Sequence, residues 1–142
     1  MGHRAGIVGS ALIALALLAG GCGAADAPPT SPPPSSSRPS STAKLSILSP
    51  KSGAVVTGST VNLELSLEGA HIVKQTSTDL SPDEGHVHVL LDGSLISMNY
   101  RLDDDIPDVA PGTHRIEVEF VATDHSPFDP RVTAATSFQV TP

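Results

Sequence analysis

Apolar and polar residues alternate in short runs from residue 44 onward, and turn residues separate the runs. Val61, Leu63 and Leu65, for example, alternate with polar residues. A period of two is typical of a strand with one buried face. Runs of this kind lie near residues 45–48, 55–56, 61–67, 71–74, 87–91, 95–100, 115–120 and 133–140. Loops are predicted between them, the longest over 76–85 and 103–112.

About seven short strands in roughly 100 residues, without intervening helices, predict an all-β fold. The fold class that this pattern favours is an Ig-like antiparallel β-sandwich over residues 44–142. The chain has one Cys and no Trp, so it lacks the Cys pair and buried Trp of antibody domains. Buried Val, Leu, Ile and Phe must therefore supply the stability of the domain.

Residues 1–21 have the features of an export signal. Arg4 supplies a positive charge, and the core over 11–19 contains only Leu, Ile and Ala. Such a core is short for a membrane span, which takes about 20 residues. The sequence then reads Gly20-Gly21-Cys22, which resembles the lipobox of bacterial lipoproteins. The resemblance implies lipidation of Cys22, cleavage before it, and anchoring on the extracytoplasmic side of the cell membrane. The alternatives are an uncleaved membrane helix and ordinary secretion.

Residues 22–43 are predicted to be a tether that begins at the lipidated Cys22. Positions 28–41 contain only Pro, Ser, Thr and Arg38. Such a stretch has too little apolar area to offset its chain entropy, and its prolines keep it extended. A proline-rich ligand for another protein is the alternative, but the position between lipid and domain favours a tether.

Composition excludes several classes of function. The formal net charge is −7 and no run of Lys or Arg occurs, so no attraction to nucleic acid is expected. The single cysteine rules out a disulfide within the chain and a Cys-based zinc site. No nucleophile elbow, phosphate-binding glycine loop or HExxH motif is present, so we do not expect an enzyme.

The histidines are the residues with the clearest chemical potential. His86 and His88 flank Val87, which places both imidazoles on one strand face, predicted to be the solvent side. Together with His125, and with or without His114, they could bind copper or zinc without a thiolate. His114 shares the parity of the apolar residues in its strand, which predicts that it points inward. The alternative is that these histidines hydrogen-bond loops and strand ends, or contact a partner.

Three motifs resemble a group of secreted bacterial proteins, the domain-of-unknown-function family 4399. They are Gly85-His86-Val87-His88 with Asp92, Pro111-Gly112-Thr113-His114, and the segment 124–132, which reads DHSPFDPRV. Val87 stands where members of that family have the second of three consecutive histidines. The resemblance implies that His86, His88, His114 and His125 belong together in space.

Two hypotheses follow. The first is a non-catalytic, lipid-anchored Ig-like domain that needs no cofactor and binds an unknown ligand, such as another envelope protein. The second is an envelope lipoprotein that binds copper or zinc through His86, His88 and His125, with or without His114. Convergence of the ring nitrogens on one point distinguishes the two.

Overall fold

Nine strands make up most of residues 38–142, the part of the chain that the computed structural model describes. They are β1 (Lys44–Ser49), β2 (Val55–Thr57), β3 (Val61–Glu68), β4 (His71–Ile72), β5 (Glu84–Leu91), β6 (Ser94–Asn99), β7 (Asp103–Ile106), β8 (Gly112–Ala122) and β9 (Pro127–Thr141). The predicted signal, Cys22 and most of the predicted tether lie outside the described residues. Within 38–142 no helix is long and apolar enough to cross a membrane.

The strands form two sheets that enclose the core. One sheet has the order β1-β3-β7, and the other has the order β2-β9-β8-β5-β4, with β6 also paired to β5. Neighbours are antiparallel except for the short β2 and β4, which run parallel to β9 and β5. The all-β sandwich predicted from the sequence is therefore confirmed.

The core consists of the alternate residues of both sheets, as the period-two pattern predicted. Val61, Leu63 and Leu65 of β3 are buried on one side. The facing residues are Val87 and Val89 of β5, Ile116, Val118 and Phe120 of β8, and Phe128, Phe138 and Val140 of β9. Burial of this apolar surface is the main favourable contribution to folding.

Strands occupy parts of two segments that were predicted as loops. Asp103–Ile106, at the start of the predicted 103–112 loop, pairs with β3 as β7. The residues lack an apolar alternation because β7 is an edge strand, and only Ile106 contributes a buried side chain to the core. At the other loop, β5 begins at Glu84, inside the predicted 76–85 segment, because backbone pairing with β4 and β8 extends it.

The folded unit includes residues that precede the predicted domain start at 44. The Arg38 guanidinium binds the Asp124 carboxylate and donates to the carbonyl oxygens of Ser126 (2.7 Å) and Pro127 (2.8 Å). The amide of Asp129 donates to the Pro39 carbonyl at 3.1 Å. These polar contacts hold the end of the Pro/Ser-rich stretch against the domain, where apolar patterning gave no signal.

Candidate metal centre

Three imidazoles converge at one end of the larger sheet. His86 and His88 lie on β5, and His125 lies in the turn that joins β8 to β9. The Nε2 atoms of His86 and His88 are 3.2 Å apart. One ring nitrogen from each of the three residues falls within 4.8 Å of the others. We call these three residues the histidine cluster.

Strand geometry explains the placement of His86 and His88. Val87 and Val89 point into the core, so His86 and His88, which alternate with them along β5, point to the outer face of the sheet. Pairing of β5 with β8 continues to the pair Gly85 and Ala122, after which the chain turns back. The turn therefore carries His125 over the end of β5, and its ring centroid lies 4.4 Å from that of His86.

The turn that carries His125 is held in an uncommon conformation. His125 has a φ of 62°, in the left-handed region that residues other than glycine rarely adopt. Its amide donates to the Ala122 carbonyl at 2.9 Å, and the Ala122 amide donates to the Ser126 carbonyl at 3.1 Å. Asp124, fixed by Arg38, accepts a further bond from the Ser126 amide at 3.1 Å. These bonds offset the backbone strain and hold the His125 backbone in this turn.

The cluster is covered, contrary to the expectation that His86 and His88 face solvent. His86 is only 1% exposed, and His88 is half-buried. The Tyr100 ring lies on one side, with its centroid 5.1 Å from that of His86. The segment between β4 and β5 also reaches the cluster, because the Thr76 hydroxyl lies 3.4 Å from Nε2 of His125. The Ser77 amide donates to the Thr123 carbonyl, and the Thr123 hydroxyl donates to the Ser77 carbonyl. These contacts join residues far apart in the chain.

Burial and mutual repulsion favour the neutral forms of His86 and His88. Desolvation, followed by the charges of His125 and His88, lowers the pKa of His86 to about 4. Desolvation and His125 also lower the pKa of His88, while Glu119 acts in the opposite direction. Neutral imidazole is the form that ligates metals. His86 and His88 can therefore each offer a ring-nitrogen lone pair at neutral pH without first losing a proton.

The nearby carboxylates are engaged by arginines. Glu119, the cross-strand neighbour of His88, accepts two bonds from Arg131, at 2.6 and 2.5 Å. Asp124 accepts two bonds from Arg38, one of them at 3.0 Å. Neither carboxylate belongs to the group of converging ligand atoms. The donor set of the described residues is therefore nitrogen-rich and formally neutral.

The spacing of the His86 and His88 Nε2 atoms suits a small cation. Two nitrogens bound tetrahedrally at 2.0–2.1 Å lie about 3.3 Å apart. The 3.2 Å between the Nε2 atoms of His86 and His88 is close to that value. Among residues 38–142 the buried Nδ1 of His86 has no hydrogen-bond partner, which costs about 1–3 kcal/mol for a polar atom removed from water. Local hydrogen bonding therefore satisfies only Nε2 of His86, through its contact with Nε2 of His88.

His114 does not join the other three. It lies at the opposite end of β8, where Nδ1 is 2.7 Å from Asp92 and Nε2 is 2.8 Å from the Ala110 carbonyl. The hydrogen bond to Asp92, then that to Ala110, raises the pKa of His114. Both ring nitrogens have partners, and the ring packs beside Phe138. Of the four histidines in the resemblance, three therefore lie together, and His114 fastens a loop. The fifth histidine of the domain, His71, is exposed on β4.

Comparison with known proteins concerns the fold. No family model matches the chain, and no curated protein matches it. The Clostridium thermocellum CbhA fibronectin(III)-like modules are 19% identical, with a TM-score of 0.51 over 68% of this chain and 93% of theirs. The PKD domain of human KIAA0319 is 13% identical, with a TM-score of 0.48 over 80% and 93%. The CARDB domain of the Pyrococcus furiosus PF1109 protein is 14% identical, with a TM-score of 0.39 over 69% and 91%. The likeness to the fibronectin(III)-like modules places the described domain in the class of Ig-like β-sandwiches.

Burial of a neutral His86 predicts acid sensitivity of the metal-free domain. Its folded pKa of about 4 is below the ordinary 6.5. Its contribution to stability is therefore complete above pH 6.5 and is lost as the pH falls toward 4, because the unfolded chain takes up the proton first. The loss amounts to at most about 3 kcal/mol. Urea unfolding in the presence of a chelator should show a shallower pH dependence for His86→Gln over this range. His71→Gln is the control, and parallel curves for all three proteins would contradict the prediction.

Proposed function

We propose that this chain is a non-catalytic metal-binding lipoprotein of the bacterial envelope. In this proposal His86, His88 and His125 bind one copper or zinc ion, and lipid on Cys22 holds the domain outside the cytoplasmic membrane. The proposal makes the ligand of the Ig-like domain specific. Of the two hypotheses drawn from the sequence, it adopts metal binding by the histidines rather than binding of an unknown macromolecule.

Convergence of the three imidazoles is the observation that carries the metal-binding part. Their ligand atoms lie within 4.8 Å of one another. The alternative assigns histidines to hydrogen bonds with backbone and carboxylates, and His114 fits that description with Asp92 and Ala110. His86 and His88 instead have each other as ring-nitrogen neighbours. Imidazole donors suit zinc and copper, whereas magnesium and calcium require oxygen.

The envelope location rests on the N-terminal sequence. An uncharged apolar segment ending in Gly-Gly-Cys, followed by a stretch rich in Pro and Ser, is the arrangement expected of a tethered lipoprotein. Lipidation at Cys22 uses the only thiol of the chain. A metal site made of histidines keeps its function when that thiol is modified.

Calorimetric titration with Zn²⁺ tests the metal site. The full chain carrying Cys22→Ser is used, so that no thiol competes for the ion. We expect one ion per chain with a Kd of about 1 µM or tighter. His86→Ala/His88→Ala should abolish this binding, whereas His114→Ala and His71→Ala should retain it. Equal affinity in the His86→Ala/His88→Ala variant, or no binding by the parent chain, would refute the site.

Mass spectrometry of the chain recovered from a lipoprotein-producing bacterium tests the anchor. The parent protein should begin at Cys22, carry a lipid mass and partition with membranes, because the modified thiol supplies the apolar chains. Cys22→Ser should lose the lipid mass and the membrane association. Serine is the matched control, since it keeps the size of the residue and removes only the sulfur. Persistence of the lipid mass in that variant would show that another residue is modified.

A further inference from the structure

Met98 lies beside the histidine cluster on the neighbouring strand. It is the only methionine of the chain besides Met1. In the antiparallel pairing of β5 with β6, Met98 is directly opposite His88. Residues opposite each other in such a pair project their side chains to the same face, with Cβ atoms about 4.5–5.5 Å apart. Met98 therefore shares the outer face of the sheet with the cluster.

A residue close to Met98 in the chain contacts the cluster. Tyr100 lies two residues further along the chain, on the same side, and its ring packs beside His86 with centroids 5.1 Å apart. A surface cavity of about 340 Å³ is lined by Met98, Tyr100 and Lys74, with Ser97, Asn99, Arg101 and Asp104. This cavity opens to solvent beside Met98 and Tyr100.

Packing does not account for Met98. Its side chain is 48% exposed, and it is not among the residues that pack against the hydrophobic core. A thioether on three rotatable bonds is adaptable, so the side chain is able to turn toward an ion bound by His88. The chemical property that separates methionine from its exposed neighbours Leu95 and Ile96 is the sulfur.

We propose that Met98 supplies a thioether as the fourth ligand of the histidine cluster, and that the site is therefore selective for copper, above all Cu⁺. This inference rests on the proposed function. Soft thioether donors favour Cu⁺, whereas protein sites for zinc use thiolate, imidazole and carboxylate. The carboxylates that could complete a zinc site, Glu119 and Asp124, are held by Arg131 and Arg38. Zn²⁺ then binds through the three imidazoles alone.

Comparison of two metals in one set of variants tests the inference. Cu⁺ affinity is measured anaerobically by competition with a chromophoric Cu⁺ chelator, and Zn²⁺ affinity by calorimetry, all on the full chain with Cys22→Ser. Met98→Leu keeps the apolar volume and removes the sulfur. We expect it to weaken Cu⁺ binding by at least about tenfold and to leave Zn²⁺ binding within about twofold. X-ray absorption should show a sulfur scatterer on Cu⁺ in the parent that is absent from Met98→Leu.

A second variant controls for apolar contacts along β6. Met98→Leu/Leu95→Met returns a methionine to the strand at a position opposite Leu90 rather than His88, and it should not restore Cu⁺ affinity. Unchanged Cu⁺ affinity in Met98→Leu, or equal weakening of both metals, would overturn the role of Met98 while leaving the three-histidine site in place. If the parent chain binds neither metal, the proposed function fails and this inference fails with it.

Discussion

Pairing of β5 with β8 is the constraint on which both the core and the histidine cluster depend. Its register places Val87 opposite Phe120 and His88 opposite Glu119, so one face is apolar and the other carries the imidazoles. The pairing starts at Gly85, where a Cβ atom would lie 2.0 Å from the Val121 carbonyl oxygen. Only glycine permits that approach, and the approach brings His86 under the turn of His125.

Much of the fold follows from local pattern, because an alternating strand reports directly on which face is buried. Val61, Leu63 and Leu65 are examples. Sequence reasoning also placed His86 and His88 side by side, since two residues of equal parity share a face. It could not predict that His86 is buried, because Tyr100 and the turn of His125 cover it from distant parts of the chain. β7 was missed because an edge strand requires little apolar alternation.

The separation of His114 from the other histidines has a physical cause. β8 runs antiparallel to β5, so its first residues lie at the far end of the sheet from Gly85. Asp92 follows β5 at that same far end and accepts a hydrogen bond from His114 there. The two ends of one strand pair thus use histidine differently: a hydrogen-bonded ring fastens a loop at one end, and three imidazoles converge at the other. The sequence did not predict a role for Met98, because its position opposite His88 depends on the register between two strands. The pattern within a single strand does not reveal that register.

The central claim is that His86, His88 and His125 ligate one ion together. Long-range ¹H–¹⁵N spectra of the histidine rings, recorded on the full Cys22→Ser chain with and without Zn²⁺, test it directly. Ligation by all three predicts that the signals of these rings change together at one equivalent of Zn²⁺, with a single ligating nitrogen in each, while those of His71 and His114 stay in place. Changes confined to His71 or His114, or an unaltered spectrum, would contradict it.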